Sequence, residues 1–413
     1  MDSDALYQRA RELMPWGTQT NAKRPVEAFE GVMPLFFDRA EGCRLRTPEG
    51  RWFIDYRAAL GPILLGYKHP EVDAAVREQL ERGVLFSMAS PVEVEVAERL
   101  VRAVPSLEQV RFMKTGNDAN LSAVRLARGF TGRDHLVTCG YHGYGDWFAC
   151  GTGAPASVVT SDVTGVPAAL DALVTRVAYG DLEALERVFE ARGHEIAAFI
   201  TVPYDWGETV ATAFVERARA LTEQHGSLLI FDQVLTGFRL ARGGAQDYFG
   251  VVPDLSTYAK ALANGYPLSA YGGRRDVMET LYRLTITTTY AGETLSLAAA
   301  AATLDVVERE PVVEHVWAMG ERLRDGFDRA ARRHGLGARS IGLPPAVQVR
   351  FSRDPETEAQ AQTVFQRELY RRGIFASRPF LLTYAHQPAD IDETLEAVDA
   401  ALEVVAGDAA ISR

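Results

Sequence analysis

Lysine is scarce in this chain of 413 residues. Lys and Arg together number 44, yet only Lys23, Lys68, Lys114 and Lys260 are lysines. Chemistry that needs a primary amine therefore has four candidates. Cysteine is scarcer still. Cys43, Cys139 and Cys150 show no C-x-x-C spacing, which excludes a disulfide framework and points to a reducing, cytoplasmic setting. There is no run of Lys and Arg, the net charge is −11 and the pI is about 5.4, so neither nucleic acid nor a membrane surface is an expected partner. No uncharged apolar run reaches membrane-spanning length. The opening MDSDALYQRARELMPWG lacks the apolar core of a signal peptide, so no leader is expected. The eight histidines are scattered, form no H-E-x-x-H and pair with no cysteine cluster, which argues against a metal site. Internal repeats and low-complexity segments are also missing.

What is present is ordinary globular material, 47% hydrophobic and 24% charged, enough for a large core. Residues 4–14 read as a short amphipathic helix, followed by strand-like PLFFDRAEG and CRLRTPEGRWFIDY with the turn TPEG inside the second. Residues 70–82 and 91–103 read as helices, each opened by a proline at its first position. The centre alternates short apolar runs (VRFMK, HLVTCGY, IAAFITV, SLLIFDQV, LSTYAK, LSAYGG) with helical stretches. That alternation predicts an α/β fold whose mostly parallel sheet is covered on both faces. A long helical region from about residue 295 leads to a smaller α+β tail, with AVQVRFS a strand and IDETLEAVDAALEVV the last helix. The expected division is a large domain over 61–304 and a smaller one made of 1–60 and 305–413.

Ligands of open parallel sheets bind at the carboxyl ends of the strands, and three features fall there. Thr115-Gly116-Asn117-Asp118-Ala119 lies between a strand and the helix NLSAVRLARGF, where free N–H groups can cradle a phosphate; a helix start merely capped by Asn117 or Asp118 is the plainer alternative. Asp232 ends SLLIFD, and a carboxylate there needs a partner: a protonated ring nitrogen, or the next loop that it caps. Lys260 ends LSTYAK with apolar neighbours on both sides, so it either snorkels or is a nucleophile with lowered pKa. Lys114, beside the phosphate turn, is its one serious rival. Tyr141 in CGYHGYGDW can stack on a ring, His142 beside it offers a polar contact or a structural one, and Thr289 in TTTYAGET can donate to a phosphate.

In order, strand–GND–helix, YHG, FDQV…TGFR, the lysine and TYAG resemble the class III pyridoxal-phosphate (PLP) aminotransferases, and within them the glutamate-1-semialdehyde aminomutases. DYRAALGPILLGYKHPEV, SAVRLARGFTGRD, GAQDYFGVVPDLSTYAK and AHQPADIDETLEAV extend the likeness over nearly the whole chain. The resemblance implies the type I PLP-dependent transferase fold, pyridoxal 5′-phosphate as cofactor and a homodimer. It implies Lys260 as the Schiff-base lysine, Asp232 on the pyridine nitrogen, Tyr141 over the ring and Val234 behind it. Gly116 and Asn117 would bind phosphate, and Thr289 would reach it from the other subunit.

Departures from the pattern cluster at the substrate end. The aminomutases read PVRAF where this chain has Pro25-Val26-Glu27-Ala28-Phe29, and their tryptophan before GP is Leu60. FDEV has become FDQV, and Val202-Pro203 stands for a Glu-Pro. Glu27 would repel a carboxylate and attract an amine, unless it merely pairs with Arg24 or another arginine. KTGNDA and CGYHGYGDWF also resemble a branch acting on sugars and aminoglycosides, and Asp205 and Glu208 would suit a cationic substrate. The expectation is an aminotransferase that makes an amine from a carbonyl of a 6′-oxo aminoglycoside or amino sugar in antibiotic biosynthesis, with glutamate as amino donor. Arg239 and Arg378 are the candidate cations for the donor's carboxylate. Alternatives are glutamate-1-semialdehyde 2,1-aminomutase, a PLP-dependent sugar epimerase or dehydratase, and an idle PLP-fold protein acting as a partner.

Overall fold

A computed structural model describes residues 2–148, 165–207, 210–408 and 411. Cys150 and Glu208 lie outside the described residues. The chain divides into two compact units. Unit 1 takes the chain up to His69, Trp206 and Gly207, and everything from Glu314 on; unit 2 takes Pro70–Asp205 and the stretch that ends at Val313.

Unit 2 is built on a seven-stranded sheet. In spatial order its strands are Gln109–Met113, Ser269–Gly273, Leu255–Tyr258, Leu228–Asp232, Ile196–Thr201, His135–Cys139 and Val174–Arg176. Six run one way and Ser269–Gly273 runs against both neighbours. The exception has a simple cause. The connection from Leu255–Tyr258, residues 259–268, holds only the short 3-10 turn Lys260–Ala263, too little chain for a helical crossover. His135–Cys139, Ile196–Thr201 and Leu228–Asp232 are buried at every position, as strands covered on both faces must be. The helix Gly116–Thr131 packs its buried stripe, including Ala119, Ala123 and Ala127, against this sheet. The proline-opened helices form as the sequence predicts, at Pro70–Arg82 and Pro91–Ala103; Ser90 and Glu93 close a capping box on the second.

Unit 1 begins with the helix Ser3–Leu13 and carries two small sheets. In one, Trp52–Asp55 pairs in parallel with Ile374–Phe375, joining the two ends of the chain. Phe53, Phe375 and Tyr370 core that junction. The other pairs Arg339–Ile341, Ala346–Arg350 and Phe380–Leu381. Among the described residues no helix is long and apolar enough to cross a membrane.

Candidate active site

Two adjacent parallel strands of unit 2 end at the site. Leu228–Asp232 delivers Asp232, and Leu255–Tyr258 delivers Lys260 two residues past its end. Asp232 is 4% exposed, yet its carboxylate is well supplied with donors. Oδ2 accepts from Asn120 Nδ2 at 2.8 Å and faces His142 Nδ1 at 2.8 Å; Oδ1 accepts from the Val234 N–H at 3.0 Å. A carboxylate oxygen has two lone pairs, so Oδ1 keeps one for a further donor. His142 Nε2 faces the Cys139 carbonyl at 3.1 Å. Both of its partners are acceptors, so each contact is a hydrogen bond only where the facing ring nitrogen carries a proton.

Lys260 sits in left-handed backbone, φ 45°, a conformation that is strained for any residue but glycine and that concentrates at functional sites. Burial lowers its ammonium to about 8; nearby Asp232 opposes that shift and Arg239 adds to it. No hydrogen bond engages Lys260 Nζ among the described residues. The other lysines are disposed of by their surroundings. Lys23 and Lys68 are exposed, and Lys114 is paired with Glu293 at 2.9 Å.

The turn Thr115-Gly116-Asn117-Asp118-Ala119 is a helix start capped by Thr115, not by Asn117 or Asp118. Thr115 Oγ1 accepts the Asp118 N–H, and Asp118 accepts the Thr115 N–H in return. That box satisfies the third N–H of the helix and leaves those of Gly116 and Asn117 without a partner among the described residues. The Asn117 side-chain oxygen Oδ1 is used locally, accepting the N–H of Tyr144 and Gly145 at 2.9 and 3.0 Å. Gly116 is needed for closeness: a Cβ there would lie 2.9 Å from both Val234 methyls. These residues fit a planar cofactor with a phosphate tail. An amine, a buried carboxylate with a lone pair to offer, and two free helix-end N–H groups share one edge of the sheet.

Unit 2 thus brings Asp232 to His142 and Val234 to Gly116, and holds Lys260 within electrostatic reach of Asp232. Tyr141 is half-exposed beside Phe148, and Thr289 lies in an exposed stretch over 287–290. Arg239 is 0% exposed and burial lowers its pKa to about 10, so it does not present itself to a diffusing donor. Glu27, Leu60 and Arg378 belong to unit 1. Glu27 is exposed on the turn Glu27–Phe29 and makes no ion pair among the described residues; Arg24 lies over the Trp16 ring instead. Leu60 is the last of three non-glycine residues in left-handed backbone, Ala58, Ala59 and Leu60, at φ 47°, 53° and 74°. Arg378 pairs with Glu358 at 3.3 Å.

Sequence reasoning missed Asn120. Its amide donates to Asp232 and to the His142 carbonyl, and its oxygen accepts from Thr257 Oγ1 at 2.6 Å. The available signal was a polar residue on the alanine-rich stripe of a helix, which once buried must find partners.

Residues 26–375 match the family model of the class-III aminotransferases. The glutamate-1-semialdehyde 2,1-aminomutase of Syntrophobacter fumaroxidans is 36% identical over 96% of this chain and 96% of its own length. That of Thermomicrobium roseum is 37% identical over 98% of this chain and 99% of its own. Both carry the name of the alternative reading, not of the aminoglycoside one. Among solved structures, the PLP form of FumI from Sphingopyxis sp. MTA144 superposes with TM-score 0.90 at 30% identity, covering 99% of this chain and 97% of that one. An omega-transaminase from Sphaerobacter thermophilus gives 0.89 at 26%, covering 98% and 97%.

Proposed function

This chain belongs to the class-III aminotransferases, PLP-dependent enzymes of the type I fold, and from that membership we propose that it exchanges amine for carbonyl with Lys260 and Asp232 at the centre of the reaction. PLP, when bound, supplies an aldehyde carbon that accepts an amino group and a ring that draws charge from the reacting carbon. Lys260 is the amine that would hold that aldehyde and, when its amine is free, would carry the proton to or from the carbon of a substrate such as glutamate. Asp232 would hold a proton on the ring nitrogen through its spare Oδ1 lone pair. The N–H groups of Gly116 and Asn117 would bind the phosphate, and Val234 would pack behind the ring. In this reading two copies associate, Tyr141 covers the ring and Thr289 of a second copy reaches the phosphate; the exposure of both residues supports it. The observation that carries the proposal is the pairing of a strained, depressed Lys260 with a buried, multiply bonded Asp232 at neighbouring strand ends.

Kinship puts glutamate 1-semialdehyde first among acceptors, since the full-length relatives at 36% and 37% identity bear that name. One observation favours a second reading, a 6′-oxo aminoglycoside or amino sugar. By the sequence resemblance Glu27 stands where the aminomutases' pattern has an arginine, and it is exposed, without an ion pair among the described residues to absorb its charge. Of the two arginines considered for the donor's carboxylate, Arg378 is the accessible one.

The deciding experiment follows absorbance of the enzyme's pyridoxamine form as each carbonyl compound is added. Conversion by glutamate 1-semialdehyde with release of 5-aminolevulinate establishes the aminomutase. Conversion by the 6′-oxo aminoglycoside alone establishes the second reading. Failure of the purified protein to retain PLP overturns both.

A further inference from the structure

The helix Gly116–Thr131 is capped by Thr115, so its start has no use for the side chain of Asn117. That side chain reaches instead to the loop that follows the strand His135–Cys139. Asn117 Oδ1 receives two consecutive N–H groups, those of Tyr144 at 2.9 Å and Gly145 at 3.0 Å, which fills both lone pairs of an amide oxygen. Neither N–H has another acceptor among the described residues. The approach is close from the loop side as well. Gly143, at φ 108°, passes so near that an added Cβ would lie 2.6 Å from the same oxygen. A glycine-rich segment of this kind has little stiffness of its own, and its conformation is set by what grips it.

The hold on Gly145 extends to the aromatic residues around it. The Gly145 carbonyl accepts the Phe148 N–H at 2.8 Å, and the Phe148 ring meets Tyr141 edge-on with centroids 6.1 Å apart. The same ring stands 5.2 Å from His142, the partner of Asp232. Asn120, three residues after Asn117, donates to the His142 carbonyl at 3.1 Å. Two asparagines spaced to share a helix face therefore hold the loop at two places, His142 by Asn120, and Tyr144 with Gly145 by Asn117. Tyr141 itself is half-exposed, so burial alone does not fix its ring.

We propose that Asn117 is a positioning residue for amino transfer: its side-chain oxygen fixes Tyr144 and Gly145, and through Phe148 it sets the place of Tyr141. This role rests on the reading that Tyr141 covers the cofactor ring. It gives residue 117 a second use, beside the N–H which that reading assigns to the phosphate.

A double-mutant cycle on the full-length protein with PLP bound tests this. Asn117→Ala keeps the backbone N–H and removes Oδ1. It should shift the absorbance maximum of the bound cofactor and slow the stopped-flow half-reaction with glutamate about tenfold. In a Tyr141→Ala background the same substitution should cost less than about twofold, because the residue it acts through is gone. Equal losses in both backgrounds, or a wild-type rate and spectrum in Asn117→Ala, overturn the proposal and leave the ring-covering reading standing. A Tyr141→Ala enzyme as fast as wild type overturns that reading, and the proposal with it. If Asn117→Ala does not fold, hydrogen exchange of the wild-type holoenzyme carries the test. The Tyr144 and Gly145 amides should be protected, and exchange at the rate of a free peptide overturns the proposal.

Discussion

His142 and Asp232 are locked together out of reach of water, Nδ1 lying 2.8 Å from Oδ2 with the two residues 1% and 4% exposed. Ninety residues apart in sequence, they meet because the strands His135–Cys139 and Leu228–Asp232 flank Ile196–Thr201 in one sheet. With Asn120 on the same oxygen, the carboxylate is held at fixed orientation and leaves Oδ1 as its open side. Asp232→Asn removes the charge and places an amide where two donors already point. Amino transfer should fall about 10²- to 10³-fold, as when a preorganised electrostatic group is lost. A stopped-flow half-reaction with glutamate checks this, and a loss below tenfold would remove Asp232 from the mechanism.

Asn120→Ala tests the support behind that carboxylate. It deletes one donor to Asp232 and leaves the Thr257 hydroxyl without its 2.6 Å acceptor. An unfolding free energy lower by about 1–3 kcal/mol is expected in urea titration. A purely structural role ends there. A positioning role also moves the absorbance maximum of the bound cofactor and lowers kcat more than it raises KM.

Lys260 supplies the pH dependence. Its amine reacts only when unprotonated, and burial lowers its pKa from the ordinary 10.5 to about 8. The rate at which the apoenzyme captures added PLP should rise with pH and level off above about pH 8, followed by absorbance. Stability carries the matching sign. Between about pH 8 and 10.5 the unfolded state binds the extra proton, so apoenzyme stability gains from this group as pH rises through that window. Lys260→Met, which has no proton to lose, should lack this gain, and its turnover should fall on the order of 10²- to 10⁴-fold or more.

Much of the placement of these candidate residues was legible because the fold advertises it locally. Asp232 and Lys260 end apolar strands, where a charge calls for explanation, and Gly116 opens a helix after a strand. Pro70 and Pro91 announced their helices for a similarly local reason. What escaped notice depends on distant partners. Asn120 looks like any helical asparagine until Asp232, 112 positions away, is brought beside it. The cap at Thr115 was missed because Asn117 and Asp118 are equally good capping residues, and only the backbone turn at Thr115 decides among them. Val174–Arg176 is three residues long and offers no period to read, and the left-handed run over Ala58–Leu60 violates local preference outright.

Gly116→Ala probes how closely the backbone must approach the cofactor. The added methyl meets both Val234 methyls at 2.9 Å, inside any ordinary contact. Overpacking of this kind costs about 1–3 kcal/mol. A lower melting temperature and weaker PLP retention on dialysis are expected, and Val234→Ala in the same chain should restore much of both. If the single variant keeps wild-type stability and PLP retention, the Gly116–Val234 contact is not a constraint.

Charge at position 27 separates the two acceptor readings. Glu27 is exposed, in a chain that resembles enzymes with arginine there, so its replacement changes the sign of the local field with little effect on the core. Surface substitutions of this kind stay within about 0.5 kcal/mol in stability. For a cationic amino-sugar acceptor, Glu27→Arg lowers kcat/KM by about tenfold or more and leaves the glutamate half-reaction alone, since an attraction becomes a repulsion. For glutamate 1-semialdehyde the same variant moves kcat/KM the other way, because its carboxylate then meets a guanidinium. Opposite signs from one substitution, measured on both acceptors with the same preparation, decide between them. Equal, small effects on both would take Glu27 out of substrate recognition and leave selectivity to Leu60 and the strained turn that carries it.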